Sequence, residues 1–314
     1  MRRLNRFILI LFLLHLFINL KAQCPDARET IVNKDIHALK ALSDKLKTCG
    51  DHKDTLALAY HTLGTVYYRL NLDSAILFTQ KALDIRKALF QKNPNVDLGR
   101  SYHNLGFFYA RQNRPRLAKP VLKKAIEIYT QLDTNKVINS YLVLANVYSN
   151  EGEYKLAEDY YKLMILEAEK ADRVTQVIDG LYTLGNLLNE KKDFEAAKEH
   201  LERAGVLLEK NDYPNRAAGC FLNLGIAHYH LGHFPTSIGY YRKAILKYHE
   251  LEDCEMITKS FNGIGRAYQK NNETVAADQA LQKGLKMALD CGYPDLIGLS
   301  YDNIGESYLE KSYH

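Results

Sequence analysis

The sequence predicts an all-α protein, a solenoid of six full helical hairpins with capping helices at its ends. Two observations predict it. A Leu or Ile followed by a small residue recurs seven times along the chain, at Leu63-Gly64, Leu105-Gly106, Leu144-Ala145, Leu184-Gly185, Leu224-Gly225, Ile264-Gly265 and Ile304-Gly305, in steps of 42, 39, 40, 40, 40 and 40 residues. Around each pair the large apolar residues keep helical spacing. The composition, 46% hydrophobic and 25% charged over 314 residues, leaves ample apolar material for a core. Length alone is compatible with one domain or two, but an array of repeats grows by stacking and escapes that count.

The first 22 residues read as a leader outside the fold. Arg2, Arg3 and Arg6 form a basic start, Phe7 to Leu20 is an apolar run broken by His15 and Asn19, and Lys21-Ala22-Gln23 offers a small residue for cleavage after Ala22. That is the layout of a secretory signal peptide, which places the chain in the periplasm or outside the cell. An uncleaved membrane anchor is the alternative, although a bilayer takes about 20 apolar residues. Lipid attachment at Cys24 is a third reading, with Gln23 a poor residue to precede a lipidated cysteine. The formal charge is +5, and without Arg2, Arg3, Arg6 and Lys21 it is +1. A chain so balanced has no bulk electrostatic reason to bind nucleic acid or an anionic membrane, so membrane contact falls to the leader alone.

Residues 23–54 follow as an N-terminal capping helix, with Ile36, Leu39, Leu42 and Leu46 at helical spacing. The array then runs over residues 55–314. Three residues before each Leu or Ile stands Tyr60, Tyr102, Tyr141, Leu181, Phe221, Phe261 or Tyr301. Three after each small residue stands Tyr67, Tyr109, Tyr148, Leu188, His228, Tyr268 or Tyr308. Further on come Ala75, Ala118, Ala157, Ala197, Ser237 and Ala277, and seven beyond those Ala82, Ala125, Met164, Ala204, Ala244 and Gly284. Two helices approach closely only where side chains are small, so these positions mark crossings within a hairpin. One hairpin cannot bury its apolar face alone, and stacking neighbours bury a continuous core. Pro94, Pro214 and Pro294 fall in turns between units, with Asp97, Asp172 and Asp212 as helix-start residues. The seventh unit stops at His314 after its first helix, as a lone cap or as the cut edge of a longer protein.

The five cysteines are Cys24, Cys49, Cys220, Cys254 and Cys291. Export permits disulfides, and an odd number leaves at least one thiol unpaired within the chain. Cys24–Cys49 would staple the N-terminal helix and Cys254–Cys291 would join successive turns, while Cys220 lies inside a helix pattern as a buried thiol. There is no Cys-x-x-Cys, so no thioredoxin-like site or zinc ribbon is indicated.

The repeated Leu-small pair with its flanking aromatics resembles the tetratricopeptide repeat family, from about Leu56 to the C-terminus. The resemblance implies a right-handed α–α superhelix. The family's usual period is 34 and its second helix is usually followed by Pro; here the period is 40, and Lys87, Thr130, Glu169, Glu209, His249 and Leu289 occupy those positions, which implies longer helices. The family Trp is absent, and Tyr or Phe replaces it in every unit but the one with Leu181. The resemblance also implies a protein or peptide partner held in the concave groove lined by the first helices. Carried over position by position, that groove comprises His61, Thr65 and Tyr68; His103 and Phe107; Asn139, Asn146 and Ser149; Tyr182, Asn186 and Asn189; Leu222, Ile226 and Tyr229; and Asn262, Arg266 and Gln269. Asn offers donor and acceptor together and can pair with both groups of an extended peptide backbone; Tyr adds apolar area with a polar tip. The other reading of this stripe is a solvated helix face. A family subtype clamps a C-terminal carboxylate with Lys, Arg and Asn, where this sequence has His61, His103 and Arg111.

No nucleophile elbow, phosphate-binding loop, dinucleotide fingerprint or zinc-protease helix is present, no cofactor is indicated, and the chain reads as a non-catalytic binding scaffold. His228, His230 and His233 suggest a metal cluster, but residues two apart on a helix are rotated by about 200° and point to opposite sides. Similar exported arrays form sensory ectodomains of sensor kinases and regulators or precede caspase-like proteases, so the alternative is an input half of such a protein.

Overall fold

The computed structural model describes residues 27–48, 52–211 and 213–312. Every regular element among them is an α-helix. The leader, Cys24, Cys49 and Asp212 lie outside the described residues.

The capping segment is two helices rather than one, α1 (Arg28–Asn33) and α2 (Ile36–Lys47). The break has a local cause. Lys34 takes a left-handed conformation (φ 56°) that ends α1, and Asp35 starts α2 by accepting a hydrogen bond from the Ala38 N–H at 2.7 Å. Leu39, Leu42 and Leu46 are buried on one face of α2. The hairpins follow as α3 (Lys53–Tyr67) and α4 (Leu72–Phe90), α5 (Val96–Arg111) and α6 (Pro115–Gln131), α7 (Val137–Asn150) and α8 (Tyr154–Lys170), α9 (Val174–Glu190) and α10 (Phe194–Glu209), α11 (Pro214–His230) and α12 (Phe234–Glu250), α13 (Cys254–Lys270) and α14 (Thr274–Cys291), then α15 (Pro294–Ser312) by itself. We call the odd-numbered helices from α3 the A helices and their partners the B helices. Both α11 and α12 have 17 residues, and a three-residue turn after each completes a unit of 40.

The turns repeat as faithfully as the helices. Where A passes to B, one residue adopts a positive φ: Asn113 (55°), Gly152 (76°), Lys192 (62°), Gly232 (78°) and Asn272 (63°). The next residue's N–H then donates back to a carbonyl in the last helical turn, as in Arg114 to Tyr109, Asp193 to Leu188 and His233 to His228, each 2.9 Å. This closing pattern satisfies carbonyls the helix end would otherwise leave bare. Two helix starts differ from expectation. Asn95, not Asp97, caps α5 by accepting from the Leu98 N–H at 2.9 Å, and Asp97 sits in the first turn, paired with Arg100 at 3.0 Å. Asp172 is not a cap either; it is the positive-φ residue (52°) of the turn between α8 and α9, a conformation that short polar side chains tolerate. Pro214 and Pro294 open α11 and α15, where a missing N–H costs nothing.

The chain forms two compact units, the first ending at Val147 and the second beginning at Tyr148, a boundary inside α7. In the first, Leu39, Leu42 and Leu46 pack with Leu56, Tyr60 and Leu63, and Leu83, Leu98, Leu105 and Ile128 form a second cluster. In the second, Ile238, Tyr241, Ile245 and Tyr248 pack with Ile257 and Ile264. The recurring glycines are needed at the crossings: a Cβ on Gly185 would lie 2.5 Å from Leu201 Cγ, and one on Gly106 would lie 2.5 Å from Leu122 Cγ. Cys254 and Cys291 form a disulfide joining the start of α13 to the end of α14, Cα atoms 6.4 Å apart. Cys220 is a free, buried thiol.

Candidate functional site

The A helices carry the expected stripe in three columns, set by their distance from the Leu or Ile of each pair. The structure separates those columns into different roles.

Two residues before the Leu or Ile, the side chain leans on the next A helix. In the first unit His103 Nδ1 meets Ser140 Oγ at 2.9 Å. In the second, Asn262 Nδ2 donates to Ser300 Oγ at 3.2 Å, and the Tyr182 ring lies so close to Gly219 that a Cβ there would be 2.8 Å from its hydroxyl. Ser140 and Ser300 belong to a position, four before the Leu or Ile, that is small in every unit: Ala59, Ser101, Ser140, Gly180, Cys220, Ser260 and Ser300, all buried; Gly219 stands one residue earlier. This second small column was missed in the sequence, although its 40-residue recurrence was there to be read. The residue five after the Leu works similarly in one unit, where Asn189 Nδ2 donates to the Asn223 carbonyl at 3.0 Å.

Three predicted groove residues are therefore not presented to solvent. His61, Asn189 and Asn262 are buried; packing against neighbouring helices, rather than ligand contact, accounts for their positions. Burial lowers the His61 imidazole to about 3, helped by the nearby positive charges of Arg86 and Arg100. Burial also lowers His103 to about 4. Both are neutral near pH 7, so they do not supply the cationic clamp that a terminal carboxylate requires.

The column two after the Leu or Ile faces outward. In the first unit Thr65 and Asn146 are exposed, as is Asn139 earlier on α7, while Phe107 is half-buried against Tyr68 (ring centroids 5.3 Å). In the second, Arg266 is exposed and Asn186 half-buried, with the Asn186 amide donating to Glu190 at 3.0 Å. The Arg266 guanidinium sits 5.1 Å from the Tyr229 ring centroid. Tyr229 also meets His230 edge-on at 5.1 Å and Phe234 at 5.9 Å, and His230 stacks on Phe194 at 4.2 Å. The second unit thus gathers an aromatic shelf with one cation over it. Phe194, His230 and Phe234 were not anticipated; the signal was the aromatic at the first position of three B helices, Tyr154, Phe194 and Phe234, at 40-residue steps.

The histidines divide as helical geometry requires. His228 is buried in a core position and His230 is exposed. The turn returns His233 to His228, Nδ1 to Nδ1 at 3.3 Å, a contact that helix geometry alone did not suggest. Burial lowers the His228 imidazole. Among the described residues no three His, Cys, Asp or Glu side chains converge in a metal-binding arrangement. The second unit also carries three clefts of about 400, 410 and 450 Å³ between neighbouring B helices, each floored by an A helix or its first turn. They lie beside the exposed A-helix stripe rather than in it.

Two family models described as tetratricopeptide repeat match residues 97–163 and 178–204. None of the curated proteins matches the chain in sequence. Among solved structures the chain is similar to BtubC (BKLC) from P. vanneervenii, with 16% identity over 71% of this chain and 93% of that one and a TM-score of 0.60. It is similar to a Rap protein solved with competence and sporulation factor, with 13% identity over 91% and 85% and a TM-score of 0.53. It is also similar to YrrB, described as a TPR protein with an unusual peptide-binding site, with 17% identity over 69% and 96% and a TM-score of 0.51. At these identities the likeness is one of fold.

Proposed function

Because tetratricopeptide-repeat models match two stretches of this chain, we propose that it is a non-catalytic scaffold that holds an extended segment of another protein along the exposed A-helix stripe. The observation that carries the reading is the composition of the outward column in the second unit. Asn186 offers both a donor and an acceptor, while Tyr229 under the Arg266 guanidinium offers a flat apolar surface with a positive charge over it. A peptide with an aromatic or acidic side chain at that point meets complementary chemistry. Two structural neighbours, the Rap complex and YrrB, are described with a bound factor or a peptide site, which supports the same class of ligand for this chain.

We also read the chain as exported. The basic start and apolar run before Ala22 support this, and a Cys254–Cys291 disulfide persists best in an oxidising compartment.

The test is to pan a library of random peptides against the purified chain and measure the enriched peptides by titration. Asn186→Ala with Arg266→Glu should weaken them by about tenfold, or about 1.4 kcal/mol, with helicity unchanged. Peptides that bind this double variant as tightly as the parent sink the site. Recovery of the chain with its leader intact in the cytosol, when expressed with its own first 22 residues, sinks the export reading.

A further inference from the structure

The hairpins share a packing detail from which the α13–α14 pair departs. It lies three residues after the first small residue of each B helix, at Phe78, Val121, Tyr160, His200, Tyr240 and Ala280. In three of the hairpins this residue is a Phe or Tyr whose ring covers the flanking aromatics of the A helix. Phe78 stacks on Tyr60 and Tyr67, with centroids 6.1 and 5.4 Å apart. Tyr160 stacks on Tyr148 at 5.6 Å, and Tyr240 on Phe221 and His228 at 6.3 and 5.2 Å. In two of these hairpins a lysine three residues further on lies over the stacked rings. Lys81 Nζ is 5.6 Å from the Tyr60 centroid and 5.3 Å from that of Phe78, and Lys243 Nζ is 5.4 Å from those of Phe221 and Tyr240. The α13–α14 hairpin keeps the flanking aromatics, Phe261 and Tyr268, and the lysine, Lys283. What it lacks is the covering ring, where Ala280 stands instead.

The space such a ring would take is open. The cleft of about 400 Å³ between α12 and α14 has Phe261, Ile264 and Tyr268 of α13 as its floor, with Leu246 on one side and Ala280 on the other. Its volume lies in the range of small-molecule sites. Residues of α12, α13 and α14 complete its lining, and α15 takes no part. Two cations line it, Arg242 and Lys283, and no Asp or Glu does. One unit earlier the residue equivalent to Arg242 is Glu202, so a positive charge enters where the ring is lost. Arg242 is held by its Nη2, which donates to the Tyr268 hydroxyl at 2.7 Å; its other N–H groups remain for an anion.

We propose that this cleft binds a small aromatic carboxylate. The ligand's ring takes the place that Phe78, Tyr160 and Tyr240 hold in their own hairpins, stacked on Phe261 and Tyr268 with Lys283 over it. Its carboxylate accepts hydrogen bonds from the Arg242 guanidinium. A ligand without the charge leaves the cations unanswered, and one without the ring leaves the apolar floor wet. The site lies beside the A-helix stripe and takes a free small molecule rather than an extended segment.

The probe is phenylpropionate, titrated into the full chain by isothermal calorimetry, with phenylpropanol as its uncharged counterpart. Saturable binding of the carboxylate is expected with a Kd of about 0.1–1 mM, and binding of the alcohol about tenfold weaker or less. Ala280→Tyr should abolish binding by supplying the missing ring. Tyr240 occupies the same position one unit earlier, so this variant should keep the parent's circular dichroism and melt no lower. Arg242→Gln with Lys283→Gln, both at exposed positions, should weaken phenylpropionate to the level of phenylpropanol. No saturable binding of phenylpropionate, equal binding of the alcohol, or binding unchanged by Ala280→Tyr or by the double variant overturns the proposal. So does an acetylated peptide ending in phenylalanine that binds more than about tenfold tighter than phenylpropionate, because the cleft would then read a chain terminus.

Discussion

Lys192 holds φ at 62° where the equivalent turns use glycine or asparagine. A left-handed residue with a Cβ is strained by about 1–2 kcal/mol, partly offset by the entropy glycine loses on folding. Lys192→Gly should therefore stabilise the protein by about 0.5–1 kcal/mol, read as a higher urea midpoint with an unchanged slope. The crossing glycines behave in the opposite way. Gly185→Leu would drive a side chain into Leu201 and should cost about 1–3 kcal/mol or more. Two histidines set a pH window. His61, near 3, and His103, near 4, are neutral in the fold, while the unfolded chain takes up protons below about 6.5. Stability is complete above that value and falls as pH drops toward 4. The loss at pH 5 is on the order of 1–2 kcal/mol for each, since both imidazoles stay largely neutral in the fold at that pH. His61→Gln should flatten the pH dependence of the urea midpoint between pH 6.5 and 5. At this scale the glycines were legible because a missing side chain leaves a periodic mark. The fate of Asn189 and Asn262 was not: an amide that binds a ligand and one that binds the next helix occupy the same kind of position.

Helices and turns follow from short-range rules, and most were readable. The 40-residue period sets helix length, while Pro214 and Pro294, read in the sequence as turn residues, are the first residues of their helices. Asp97 and Asp172 misled because Asp serves equally as a cap, a first-turn anion or a positive-φ turn residue, and only the backbone path selects among these. The single capping helix divided at Lys34 and Asp35 for the same reason. The α13–α14 hairpin supports a prediction of its own. Its disulfide closes a loop with a sequence separation of 37, and tying such a loop lowers the entropy of the unfolded chain by about 4 kcal/mol in the chain-entropy account. Reduction, or Cys254→Ser with Cys291→Ser, should lower the melting temperature measurably and raise amide exchange first in α13, α14 and α15. An unchanged melting temperature on reduction would mean the bond is absent in solution.

For the whole molecule, repeat architecture makes stability a sum of local terms. Each helix rests on its sequence neighbours, so damage should stay near its source. Gly185→Leu should raise hydrogen exchange in α9, α10 and α11 while leaving α3 and α4 at parental rates; uniform loss of protection would point instead to a single cooperative unit. The all-α repeat was visible in the residues themselves, since the spacing of Leu-Gly pairs and aromatics is a local periodic signal that needs no knowledge of distant contacts. Which stripe residues stay open and which histidines meet across a turn were decided by packing. Those outcomes depend on what lies across from each side chain, and a polar residue such as Asn189 or Asn262 has the same identity whether it faces solvent or a helix 34 or 38 residues away.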